Sequence, residues 1–118
     1  ILEKEINRMF EINGKEYELK YDIDRVAMIE NVCGSPMMAD LIRYRGTLGI
    51  SSLMNYTAYG LQEKGSGRYV NAKTGQDMAK ALIQNVGYTT VTGAVLQALE
   101  RDCPYMFETE TEGVADDA

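Results

Sequence analysis

The chain has 118 residues, 45% of them hydrophobic and 25% charged, with a formal net charge of −6. This is enough for one domain with a modest core. No apolar run reaches the roughly 18 residues a bilayer span needs, and no basic start leads into an apolar block, so a cytoplasmic chain with no membrane role is expected. There is no histidine, and Cys33 and Cys103 are lone thiols far apart in sequence, which excludes His-assisted nucleophilic catalysis and leaves no zinc ligand set.

From Glu5 to Ile12 the pattern alternates imperfectly: Ile6, Phe10 and Ile12 share a face that Arg8 interrupts. Asn13-Gly14 then supplies the positive φ angles of a two-residue turn. Lys15 to Tyr21 alternates cleanly, with Tyr17, Leu19 and Tyr21 on one side and Glu16, Glu18 and Lys20 on the other. This is a β-hairpin with one polar face. A lone hairpin is marginal in water, so its Tyr17/Leu19/Tyr21 face is expected to lie on helices, with at least one backbone edge free for self-association.

Five helices are expected to follow. Asp22 or Asp24 caps the first, from about Arg25 to Cys33, and Gly34 ends it. Ser35-Pro36 starts the second, with Met38, Leu41 and Ile42 inward; Gly46 and Thr47 break and recap the chain. Ile50, Leu53, Met54, Ala58 and Leu61 form one buried stripe of the third. Gly65-Ser66-Gly67 opens a loop to about Gly75, where Thr74 to Asp77 resembles a capping box. The fourth helix carries Ala79, Leu82, Ile83 and Val86 and stops at Gly87. The fifth begins near Thr89 or Thr90, buries Val91, Ala94, Val95, Ala98 and Leu99, and ends at Pro104.

The fold expected is therefore α+β. An N-terminal antiparallel hairpin and a bundle of about five helices form a single domain over 1–104, followed by a disordered acidic tail over 105–118. The charge divides along the same line. Ile1 to Arg101 carries twelve basic and twelve acidic residues, and the remaining six acids all lie between Asp102 and Ala118. A neutral body with an acidic tail is ill suited to phosphate backbones, so nucleic acid is not an expected partner, and an acidic decoy would need its charges on a folded face.

Chemistry-bearing motifs are weak. Asp22-Ile23-Asp24 lacks the later glycine and closing glutamate of a calcium loop. Lys73 does not follow a loop glycine as a phosphate-binding loop requires. No catalytic residues, metal or cofactor are expected. More suggestive are seven methionines and eight tyrosines in a chain without tryptophan. Met37, Met38, Tyr44, Met54, Tyr56, Tyr59 and Tyr69 cluster around the second and third helices. They suit either an adaptable protein-binding surface or the margins of the core.

With these pieces in place, the chain resembles the tail assembly chaperones of long-tailed phages, including those of prophages and gene-transfer-agent clusters. The resemblance rests on the order and spacing of Ile12–Tyr21, Arg25–Glu30 with Gly34 behind it, Leu48–Leu61, Ala79–Gly87 and Thr92–Leu99. It implies a protein that binds the tape measure and tail tube proteins, keeps them soluble in the host cytoplasm, and is absent from the mature virion. In many such phages a programmed frameshift extends a fraction of the molecules. A small structural adaptor, such as a head–tail connector or minor tail protein, is the alternative.

Overall fold

The computed structural model describes residues 10–107. The early strand residues, Ile6 among them, and the acidic segment from Glu108 lie outside that range. The architecture is α+β, in the order β1 (Glu11–Ile12), β2 (Lys15–Leu19), α1 (Ile23–Cys33), α2 (Met37–Arg43), α3 (Ile50–Gly60), β3 (Leu61–Glu63), α4 (Ala72–Val86) and α5 (Tyr88–Asp102).

The hairpin forms as its turn chemistry dictates. Asn13 and Gly14 adopt φ of 53° and 79°, and Ile12 pairs with Lys15 across the two-residue loop. Leu19 and Tyr21 are buried and Tyr17 packs against the core, so the alternating face does lie on the helices. The third helix is expected to run to Leu61, and a strand before the loop at Gly65 is not expected. Leu61 to Glu63 is a third strand, antiparallel to β2 in the register Leu19↔Leu61 and Tyr17↔Glu63, giving the order β1-β2-β3. α3 therefore stops at Gly60, and Leu61 is buried from the sheet rather than from the helix. The side of β2 that a bare hairpin leaves open is filled by β3, which meets Tyr69 through an isolated bridge at Gln62. Among the described residues, the hairpin's free edge reduces to the two residues of β1.

The helix termini follow local rules with several corrections, among them that Gly49 rather than Thr47 precedes α3 and that Ser35 does not cap α2. Asp22 caps α1 by accepting from the Arg25 N–H at 2.7 Å, and Gly34 closes it in the left-handed region at φ 80°. Asn71, not Thr74, caps α4, accepting from the Thr74 N–H at 2.9 Å, so Thr74 falls in the first turn. α2 is capped across helices: Pro36 has no side-chain cap to offer, and Glu30 of α1 accepts from the Met37 N–H at 3.0 Å. α5 begins one residue ahead of Thr89, at Tyr88, and buries every residue expected of it, with Thr92 added. Beyond Pro104 the chain makes a further turn, in which Met106 and Phe107 pack on the core. The ordered body thus passes the expected boundary at 104.

α3 is the central element, packed on α1, α4, α5 and β2. Its crossing with α4 depends on Gly75, where a Cβ would sit 2.6 Å from the Ala58 carbonyl oxygen. Gly60 does the same for the sheet: a Cβ there would meet the Tyr21 ring at 2.5–2.7 Å. At the far end of α5, Asp102 Oδ2 accepts from the Tyr21 N–H at 3.0 Å, while Arg101 donates to the Leu19 carbonyl and to both Asp102 oxygens. Burial raises the Asp102 carboxyl's pKa. The hydrogen bonds from Arg101 and the Tyr21 N–H, aided by the Arg101 charge, outweigh that and hold it below its ordinary value of 3.8.

Two measurements check this account. Gly75→Ala is expected to destabilise by about 1–3 kcal/mol, because backbone must part to admit the methyl. Gly93→Ala, at an exposed α5 position with nothing within 4 Å, should stabilise by about 0.5–1 kcal/mol. Urea melts of the pair distinguish crowding from helix propensity. For Asp102, a depressed pKa means stability that is complete above 3.8 and lost as pH falls through the lower folded value. The stability gap between wild type and Asp102→Asn should therefore be constant well above that pH and shrink below it; a gap independent of pH in acid would refute the assignment.

Candidate functional site

The seven methionine and tyrosine positions do not form one face. α2 turns Met37 and Asp40 inward, one turn apart; of the three residues expected there, Leu41 packs on the core, Met38 is half-buried and Ile42 is exposed. What sets this rotation is Asp40: its buried carboxylate accepts from the Ser35 hydroxyl at 3.3 and 3.4 Å and from the Ser52 hydroxyl on α3 at 2.9 Å. Met37 is consequently fully buried, and so is Tyr56 on α3. These two are core residues, correcting their place in the expected binding set. Met38 and Met54 are half-buried, and Tyr44 is exposed.

Tyr59 and Tyr69 belong to a second group that the sequence reading missed because its centre is a cation. Arg25 of α1 donates through Nε to the Tyr59 carbonyl at 2.7 Å. Its guanidinium carbon stands 3.7 Å from the Tyr69 ring centroid and 5.7 Å from that of Tyr59. The Tyr69 hydroxyl in turn donates to the Lys20 carbonyl at 2.9 Å. Such stacking contributes about 0.5–2 kcal/mol and ties α1 to the sheet, so these tyrosines have structural work already. Burial, the largest cause, raises the Tyr69 hydroxyl's pKa, and the Asp22 charge adds to the shift against the opposing Arg25.

Tyr56 has a less settled environment. Its ring tilts against Tyr21 with centroids 6.3 Å apart, and its carbonyl accepts from the Tyr21 hydroxyl at 2.6 Å. Its own buried hydroxyl has no hydrogen-bond partner among the described residues. Burial first, then the Glu30, Cys33 and Asp40 charges, push that phenol well above its ordinary value, so it stays protonated. Cys33 and Cys103 are free thiols, Cys33 half-buried with the Asn55 amide donating to its sulfur at 3.6 Å.

The same rotation of α2 exposes Ile42, which the sequence pattern placed inside. Ile50, expected in the buried stripe of the third helix, is the first residue of α3 and is exposed as well, with Tyr44 between them in the chain. Two surface grooves sit elsewhere. One, of about 540 Å³, runs between β2 and α5 past Tyr17, Leu19, Ala94 and Arg101. The other, of about 600 Å³, lies between the hairpin tip and α4, along Ile12, Met78, Leu82 and Val86. None of the seven expected residues lines either. Among the described residues no cysteine and carboxylate group is arranged to hold a metal ion, and no helix is long and apolar enough to cross a membrane.

Comparison with protein-family models, with curated proteins and with solved structures finds no match to this chain.

An unpartnered buried hydroxyl costs about 1–3 kcal/mol. Tyr56→Phe removes it and keeps the ring and the accepting carbonyl, so the variant is expected to be about 1 kcal/mol more stable than wild type in urea melts. A loss of more than about 1 kcal/mol would mean that the hydroxyl is engaged after all.

Proposed function

We propose that this chain is a tail assembly chaperone of a long-tailed phage or prophage, which binds tape measure and tail tube proteins and keeps them soluble in the host cytoplasm until the tube polymerises. The observation that carries the reading is the architecture: a hairpin laid on a helical body, to which a third strand, not implied by the resemblance, is added between α3 and α4. The side chains remaining at the surface around α2 and α3 support it. Met38 and Met54 are half-buried and Tyr44 is exposed, so flexible and amphipathic groups border the core where a helical cargo would lie. Among the described residues one side of β1 is unpaired, which supports pairing with a second copy.

Co-expression with the tape measure and tube proteins of the same gene cluster tests the proposal. The chaperone reading expects both to become more soluble and the tape measure to co-purify with this chain. Mass spectrometry of purified virions should then find the tape measure and not this chain. Its presence there in stoichiometric amount would favour a structural adaptor and overturn the chaperone reading.

A further inference from the structure

We propose that the elbow joining α2 to α3, from Ile42 to Ile50, is a docking surface for an acidic amphipathic helix of another protein. The inference names the partner chemistry for the binding role proposed above and rests on that reading for the identity of the cargo.

The first observation is apolar exposure in a short span. Ile42 is 71%, Tyr44 46% and Ile50 53% exposed, three of the seven large exposed hydrophobic residues among those described, and they fall within nine residues of chain. Tyr44 is turned towards α3. A Tyr44 ring carbon lies 3.7 Å from where a Gly49 Cβ would stand, which places the ring beside the first turn of α3. Half-buried Met38 precedes Ile42 by one helical turn, on the same side of α2. Isolated exposed apolar residues need no explanation, but a group of this kind does.

Charge then selects the partner. Arg43 and Arg45 alternate with Ile42 and Tyr44, and both are exposed. Among the described residues neither meets a carboxylate, as is also true of Lys15, Arg25, Arg68 and Lys80, but these two stand two residues apart in one turn beside exposed apolar side chains. The acid nearest in sequence, Asp40, faces inward and is bound by Ser35 and Ser52. The elbow is therefore apolar and cationic on a chain whose net charge is −6. A partner with acids flanking an apolar stripe complements both properties.

The backbone explains why that partner is a helix. The amides of Tyr44, Arg45 and Gly46 donate to Asp40, Ile42 and Leu41, and the Tyr44 carbonyl accepts from the Thr47 hydroxyl. With these groups engaged, residues 44–46 offer no ladder for an added strand, and a partner at that turn meets side chains. A helix, whose own backbone is satisfied, fits that requirement. The turn is also rigidly defined: Arg45 sits at φ 57° and Gly46 at φ 91°. The first of these is a conformation glycine or asparagine adopts at less cost, so an arginine there is poorly explained by turn formation.

The test uses three synthetic peptides of about 20 residues. Two share one leucine-alanine stripe flanked either by glutamates or by lysines, and the third has the glutamate composition in scrambled order. Binding to the full chain is read by fluorescence anisotropy, and the site by amide shifts in NMR. The glutamate-flanked helix is expected to bind at least about tenfold tighter than either control, to weaken with salt, and to shift the amides of 42–50. R43E/R45E, two exposed substitutions, should reverse the preference towards the lysine peptide. Equal affinities, shifts confined to the α4 groove, or loss of a homodimer in R43E/R45E without peptide binding would overturn the proposal. Tape measure co-purification unaffected by R43E/R45E would also overturn it while leaving the chaperone reading intact. Peptide binding as expected, with no tape measure capture by wild type, would uphold the elbow and sink the chaperone reading instead.

Discussion

Tyr21 is where the three parts of this fold are joined. Its N–H reaches Asp102 at the end of α5, its hydroxyl reaches the Tyr56 carbonyl within α3, and its ring fills the space that Gly60 leaves at the start of β3. The residue is itself the last of the alternating hairpin face. Remove it and the sheet loses its hydrogen bonds to Tyr56 of α3 and Asp102 of α5 at once, leaving the Arg101 bond to the Leu19 carbonyl as the side-chain tie to α5. Burial above all, with Tyr56, Tyr69 and Asp102 nearby, raises its phenol well above the ordinary range, so the donor to Tyr56 stays protonated across ordinary pH.

What the sequence made legible was local, and what it hid was long-range. Asn13-Gly14, the Asp22 cap, Gly34 and the stripe of α5 are each decided within a few residues, and each forms as expected. β3 is three residues long, follows α3 without a break and shows no alternation, so no periodicity could reveal it; only its partner β2, more than forty residues earlier, makes it a strand. α2 is the sharper case. Its seven residues contain enough apolar side chains for two phases. The choice is made by Asp40 finding the Ser52 hydroxyl on the next helix. Burying a carboxylate is the reverse of what a hydrophobic pattern assumes.

That single rotation also redistributes the candidate site. With Asp40 inward, Met37 joins the core and Ile42 leaves it. The methionine and tyrosine cluster that looked like one surface in sequence separates into buried packing, a clamp on Arg25, and a small exposed remainder. Composition counts residue types without their phase, so it overestimated the surface share and missed the two isoleucines that flank Tyr44.

The placement of the elbow follows from the same core logic that fixes the rest of the molecule. Tyr88 at the start of α5 donates to the Leu48 carbonyl, and Leu48 itself is fully buried, so the connection from α2 to α3 is pinned from beneath. A segment anchored by a buried leucine, a tyrosine hydroxyl and closed turn hydrogen bonds loses little conformational entropy when something docks on it. Its outward isoleucines therefore sit on a preformed support. Among the described residues β1 pairs over two residues, a smaller support than the elbow has. If the fold was shaped for contact with another chain, the rigid apolar corner is the better-built half of the two, and the strand edge the more easily dispensed with.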